Sequence, residues 1–175
     1  MTVGRVVPVL NIIKDRSTNM YRVLITDDEK IEREGIKFLL AQEEGEYEIH
    51  EAANGRQALN VLRSEEIDFL LTDIKMPHMD GLELASKVRE EYPNLPIVIF
   101  SGYSDFAFAQ EAMRYGVKDY VLKPVDPDTF HTTIGKVKTE LQSIRSKKQK
   151  EEKSTKIDSQ LYIIIRQQKR NEVLI

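Results

Sequence analysis

The stretch LTDIKMPHMDG, Leu71 to Gly81, carries one carboxylate, Asp73, at the end of a short apolar run, followed by a Met-Pro step and a closing glycine. Upstream, LITDDE, Leu24 to Glu29, ends a second apolar run on two adjacent carboxylates, Asp27 and Asp28. Acids gathered at strand ends repel one another, so the arrangement needs a reason. Around these two stretches the chain alternates between two periodicities. YRVLIT (Tyr21 to Thr26) has the continuous apolar character of a strand buried on both faces. FLLTD (Phe69 to Asp73), PIVIFS (Pro96 to Ser101) and DYVLK (Asp119 to Lys123) also read as strands. YEIHEA (Tyr47 to Ala52) alternates and reads as a strand nearer an edge. Between them, apolar residues recur at helical spacing: Ile31, Ile36, Leu39 and Leu40; Ala58, Leu59 and Leu62; Leu82, Leu84, Ala85 and Val88; Phe106, Ala109, Ala112 and Met113. Phe130, Ile134, Val137, Leu141 and Ile144 mark a last helix, and Gly116 suits a helix C-cap.

Strand followed by helix, repeated five times, predicts an α/β fold with a doubly wound five-stranded parallel sheet. Right-handed crossovers put two helices on one face and three on the other. Ligands of such sheets bind beyond the carboxyl ends of the strands. Asp27, Asp28, Asp73, Ser101 and Lys123 all fall at predicted strand C-termini, so the fold collects at one edge what the sequence scatters. Three carboxylates in one pocket are costly without a cation. Oxygen-only donors select a hard ion, and Mg²⁺ is the expected one. Lys123 adds an ammonium and Ser101 a hydroxyl. The set suits attack by Asp73 on a phosphoryl group, with positive charge neutralising the developing oxyanions.

Each feature alone has a plainer explanation. Asp-Asp after a strand is a polar loop or a helix cap, Lys-Pro a solvated turn, Ser-Gly a turn, and Met76-Pro77 a bend. Their joint occurrence at the ends of strands one, three, four and five is what those explanations leave out.

Composition is consistent with this reading. The 175 residues suffice for one ordinary domain with appendages, at 41% hydrophobic and 31% charged residues. Cysteine is absent, which excludes disulfides and thiolate metal sites and fits a reducing, cytoplasmic setting. No apolar run reaches the ~18–20 residues of a membrane span. The net charge of −3 hides a split. Met20 to Gly135 holds 12 Lys and Arg against 23 Asp and Glu, a net −11, while Lys136 to Lys156 holds 8 against 3, a net +5. So acidic a body argues against direct nucleic-acid binding by that part.

DDE at Asp27 to Glu29, DIKMPHMDG at Asp73 to Gly81, SGY at Ser101 to Tyr103 and YVLKPVD at Tyr120 to Asp126 together resemble the receiver domain of bacterial two-component response regulators. The resemblance covers about Met20 to Ile144, and SGYSDFAFAQEAMRYGVKDYVLKPVD is especially similar to receivers whose output is an AraC-type DNA-binding domain. It implies a (βα)5 flavodoxin-like fold with strand order 2-1-3-4-5. It implies Asp73 as phosphoacceptor, with Asp28, Asp73 and the backbone carbonyl of Lys75 as Mg²⁺ ligands and Asp27 acting partly through water. Lys123 is similar to the lysine that pairs with the phosphoryl group, and it would precede Pro124 through a cis peptide. Ser101 matches the hydroxyl that bonds the phosphoryl oxygen, and Tyr120 the aromatic switch that follows it inward. The implied partners are a sensor histidine kinase and a second copy, docking through the fourth helix, fifth strand and fifth helix. Lys75 and Tyr103 would face the pocket mouth. Thr26 stands where an apolar residue is expected, which is tolerable if its hydroxyl bonds locally.

Two other classes compete with a signalling domain. A phosphohydrolase working through an aspartyl phosphate carries a second acid two residues after its nucleophile, where this chain has Lys75. A binding module with the fold but no phosphorylation has no need of the complete set Asp27, Asp28, Asp73, Ser101 and Lys123. Outside the receiver pattern, residues 1–19 form an extra N-terminal segment. Residues 145–175 read as a charged linker or solvated helix (Ser146 to Lys156) and an apolar segment (Leu161 to Ile175), the expected remnant of an output region. Extension of the last helix into a coiled coil is the weaker reading, because Lys148, Glu151, Thr155 and Asp158 fall on its seam.

Overall fold

A computed structural model describes residues 20–102 and 106–172. Five strands, β1 (Met20–Thr26), β2 (Glu46–Ala52), β3 (Phe69–Thr72), β4 (Ile97–Ser101) and β5 (Asp119–Leu122), alternate with five helices. The helices are α1 (Lys30–Leu40), α2 (Gly55–Ser64), α3 (Gly81–Glu91), α4 (Phe106–Arg114) and α5 (Pro127–Glu172). All strand pairs are parallel, in the order β2-β1-β3-β4-β5. The chain thus has the doubly wound, flavodoxin-like α/β fold expected from the sequence.

Burial follows strand position. Every residue of β3 and β4 is buried, whereas β2, at the edge, is mostly exposed or half-buried. A central parallel strand is covered by helices on both faces and so carries no polar alternation. The coverings form two cores. On one face Leu24, Leu70, Ile97 and Ile99 pack with side chains of α2, α3 and α4, among them Leu59, Leu84 and Ala112. On the other face Val23, Ile25, Leu71 and Val98 pack with Ile36 and Leu40 of α1 and with Phe130, Ile134, Val137 and Leu141 of α5. Three helices therefore cover one face and two the other. Gly116 follows α4 at φ +64°, a conformation that favours glycine, and its carbonyl accepts from Arg89 at 2.9 Å.

Of the two readings of Ser146 to Lys156, a charged linker or a solvated helix, the structure shows the helix. α5 runs on for 46 residues without a break, so Ser146 to Lys156 is helical. At 1.5 Å per residue that is about 69 Å of helix. The physical reason is local: this stretch is Lys, Glu and Gln with Ser and Thr, and it lacks glycine and proline. The core contacts of α5 end near Leu141, and Arg145 donates to the Met20 carbonyl and to Asp68, both at 3.3 Å. Among the described residues no helix is long and apolar enough to cross a membrane. Residues 1–19, Tyr103 and the last three positions of the apolar segment lie outside the described residues.

Candidate functional site

Register brings the acids together. Thr26 of β1 pairs with Thr72 of β3, so the residues that follow, Asp27 and Asp73, leave the sheet side by side. The Asp73 amide donates to the Thr26 carbonyl at 2.8 Å, and the Asp27 amide donates to the Ala52 carbonyl at 3.1 Å. On the other side Ser101 pairs with Leu122, and the Lys123 amide donates to the Ser101 carbonyl at 2.8 Å. The Lys123–Pro124 peptide is cis.

From that position Lys123 reaches across the strand ends. Its Nζ lies 2.7 Å from Asp27 Oδ2, 3.1 Å from Asp73 Oδ1 and 3.4 Å from Glu32 Oε2. Asp27 and Asp73 are both buried, and Asp28 is exposed beside them. All three line one cavity of about 640 Å³, with Lys75, Gly102 and Lys123. Each buried carboxylate has further support: Asp27 Oδ1 accepts from the Glu29 amide at 2.9 Å, and Asp73 Oδ2 from the Lys75 amide at 2.7 Å.

The electrostatics follow from this geometry. Burial pushes the Asp73 carboxyl above its ordinary range. The Lys123 charge and hydrogen bond pull it down and the Asp27 charge pushes it up again, so burial prevails. Burial alone would lower Lys123, but the hydrogen bond it donates to Asp27 and the charges of Asp73 and Asp27 outweigh that effect and hold the ammonium above the usual lysine range.

The β3–α3 loop is shaped to hold Asp73 in place. The Gly81 amide donates to the Ile74 carbonyl at 2.8 Å, and a Cβ on Gly81 would lie 1.9 Å from the Asp73 carbonyl oxygen, so no side chain fits there. His78 takes a positive φ of 69°, and Asp80 caps α3 by accepting from the Glu83 amide at 2.8 Å.

The donor set suits a divalent ion. Carboxylates from Asp28 and Asp73 with the Lys75 carbonyl are hard oxygen donors, and the cavity is large enough for an ion that keeps some of its waters. The chemistry fits. Among the described residues no three His, Cys, Asp or Glu groups stand close enough to form a ready-made metal cage. The ammonium of Lys123 sits between Asp27 and Asp73 and offsets one of their two negative charges.

The local bond that would make Thr26 easy to accommodate is not formed. Thr26 is buried, and its Oγ1 has no hydrogen-bond partner among the described residues. Ser101 is fully buried at the end of β4. Tyr120 is half-buried on β5 and packs against the α2–α3–α4 core. Sequence reasoning missed Glu32, which faces Lys123, and Arg33, which donates to the Asp27 carbonyl at 2.7 Å. Their signal was available: both lie in the first turn of the helix after the acidic pair, where the chain doubles back over the strand ends.

A family model described as the response regulator receiver domain matches residues 23–135. The chain belongs to the response regulator receiver family. This receiver is 37% identical over 132 residues to the transcriptional regulatory protein YesN of Bacillus subtilis, which covers 74% of this chain and 36% of YesN. It is 33% identical over 121 residues to the transcriptional regulatory protein HptR of Staphylococcus aureus, covering 67% of this chain and 46% of HptR. Among solved structures, the receiver domain of AraT, a response regulator from Geobacillus stearothermophilus, is 40% identical at a TM-score of 0.64, with 71% of this chain and 98% of that chain covered. The receiver from Clostridium thermocellum gives 26% and 0.65. The chain spans between 36% and 52% of the length of the first curated relatives it matches.

Proposed function

We propose that this receiver takes a phosphoryl group on Asp73 from a phosphohistidine of a partner sensor histidine kinase. The observation that carries the reading is Lys123 Nζ lying 3.1 Å from Asp73 Oδ1 and 2.7 Å from Asp27 Oδ2 at the carboxyl edge of the sheet. An Asp73 oxygen attacks phosphorus, an O–P bond forms as the donor N–P bond breaks, and the histidine leaves with its electron pair. Lys123 follows the incoming oxyanion, and Asp27 keeps the ammonium at the strand ends. Asp28, Asp73 and the Lys75 carbonyl would hold Mg²⁺, with Asp27 acting through water. When bound, that ion supplies positive charge to the phosphoryl oxygens.

In this reading the unit is residues 20–144, working in the cytoplasm as a signalling domain that turns over only its own phosphoryl group. Ser101 then hydrogen-bonds the phosphoryl oxygen and Tyr120 turns further inward. The α4–β5–α5 surface changes and favours a second copy, with transcription as the controlled output and no nucleic acid bound by this domain itself. Phosphorylation shifts a population already present. Intact mass after acetyl phosphate and Mg²⁺ treatment tests the assignment. The parent should gain about 80 Da, the mass of one phosphoryl group on a nucleophilic carboxylate. Asp73→Asn and an EDTA control should gain none; equal gain by Asp73→Asn would mean another residue is the acceptor.

A further inference from the structure

Lys75 touches two parts of the molecule at once. Its amide donates to Asp73 Oδ2 at 2.7 Å and it lines the Asp73 cavity, yet its ammonium lies 5.0 Å from the centre of the Phe108 ring on α4. Phe108 is half-buried against the α2–α3–α4 core, within the first turn of a helix that buries only Ala112. A cation over an aromatic face is an attraction that weakens when a stronger anion competes for the cation. The phosphoryl group proposed for Asp73 would be such an anion, two residues from Lys75 and within the same cavity. The flexible four-carbon stem of lysine allows its head to swing between partners.

We propose that Lys75 is a second switching group, distinct from Ser101 and Tyr120, that clasps α4 through Phe108 while Asp73 is unmodified and releases it to bind the phosphoryl group. The release half rests on Asp73 being the acceptor; the clasp does not. α4 has little else buried to hold it, so a contact at its first turn carries weight in its local stability. The clasp explains how charge at the strand ends reaches α4 without a movement of the sheet.

Amide hydrogen exchange on the full chain, read by mass spectrometry over residues 106–114, tests this. In the unmodified protein, Lys75→Met and Phe108→Leu should each speed exchange by about 2- to 5-fold, the size of an exposed cation–π contact. The double variant should exchange no faster than Phe108→Leu alone, because without the ring Lys75→Met has no contact left to remove. Lys75→Arg and Phe108→Tyr, which keep the cation and the ring, should exchange like the parent. Lys75 is exposed, so its replacement by Met opens no cavity in the core. Beryllofluoride with Mg²⁺, which mimics the phosphoryl group on Asp73, should speed exchange in the parent by about 2- to 5-fold more than in the variants, whose clasp is already absent, so that parent and variants converge. Additive single effects, or single variants at the parent rate, would overturn the clasp. A parent that stays slow with beryllofluoride bound would overturn the release. Bound beryllofluoride is seen directly by fluorine NMR; its absence would mean that the Asp73 assignment and the release have failed, while the non-additivity in the unmodified protein still decides the clasp.

Discussion

Of its 11 residues α3 buries Gly81, Leu82, Leu84, Ala85 and Val88, whereas α4, with nine, buries only Ala112 and exposes Phe106 and Met113. The two helices flank the same sheet face, yet only one is anchored. α3 begins at the loop that holds Asp73, with Asp80 capping it and Gly81 pressed against the Asp73 carbonyl. Movement there would displace the proposed acceptor. α4 begins after Ser101 and Gly102 and is held by few buried side chains. Elements that move in switching come from the low-stability end of a structure. The contrast therefore separates a part that holds the chemistry still from a part free to report it.

The largest expected effect tests that contrast directly. Leu84 is fully buried, so Leu84→Ala should cost about 2–5 kcal/mol. Met113→Ala, at an exposed position on α4, should change stability by no more than about 0.5 kcal/mol. Urea melts of the two variants measure both numbers, and comparable losses would remove the distinction between the helices.

A second test concerns the charge on Asp73. Because the folded protein holds this carboxyl above its ordinary range, it binds a proton at a pH where the unfolded chain has already released its own. Stability from this group is therefore lost as pH rises through that window, and ionised Asp73 is a net cost at neutral pH. Asp73→Asn should be more stable than the parent at pH 7 in metal-free buffer, with the gap closing as pH falls through the carboxylate range. Asp27 still pairs with Lys123 at 2.7 Å, so the substitution strands no cation. Melts across pH check the sign; a less stable variant at pH 7 would mean that attraction to Lys123 outweighs burial.

Much of this is legible in the amino-acid sequence. Continuous apolar runs gave away β1, β3 and β4, because a parallel strand covered on both faces has no polar side to show. Asp27, Asp73, Ser101 and Lys123 could be collected at one edge because parallel register ends neighbouring strands at the same level. What stayed hidden depended on side-chain reach or on helix length. The Lys75–Phe108 contact joins residues that belong to no shared periodicity. The run of α5 past Ile144 was obscured because an all-polar helix and a charged linker look alike when no apolar stripe marks a face. Whether the Thr26 hydroxyl bonds locally could not be read from the sequence: its carbonyl is taken by the Asp73 amide and its hydroxyl has no partner among the described residues.

That hydroxyl gives a third, smaller test on the anchored side of the comparison. A buried hydroxyl without a partner costs stability that an isosteric methyl does not. Thr26→Val should raise stability by about 1 kcal/mol in the same urea melts. A loss instead would mean that the hydroxyl has a partner, such as an ordered water at the strand end.

The smallest effect on stability should come from α4, where the proposed function predicts a change in association. Phe106 is 76% exposed and lies with Met113 and Leu122 among the large apolar side chains that remain in solvent. An apolar group left outside the core contributes little to folding, so Phe106→Ser should alter the melt by no more than about 0.5 kcal/mol. The same exposure makes it a candidate anchor for a second copy, because aromatic residues carry a large share of interface energy. Sedimentation at micromolar concentration should show the parent shifting toward dimer on addition of beryllofluoride and Mg²⁺. Phe106→Ser should weaken that dimer by about 5-fold or more, the equivalent of losing about 1 kcal/mol at an interface. Fluorine NMR on the same samples shows that both proteins carry the mimic, so a weaker dimer cannot be traced to an empty site. Equal dimerisation of parent and variant would separate the exposed end of α4 from the docking surface and leave β5 and α5 to account for it.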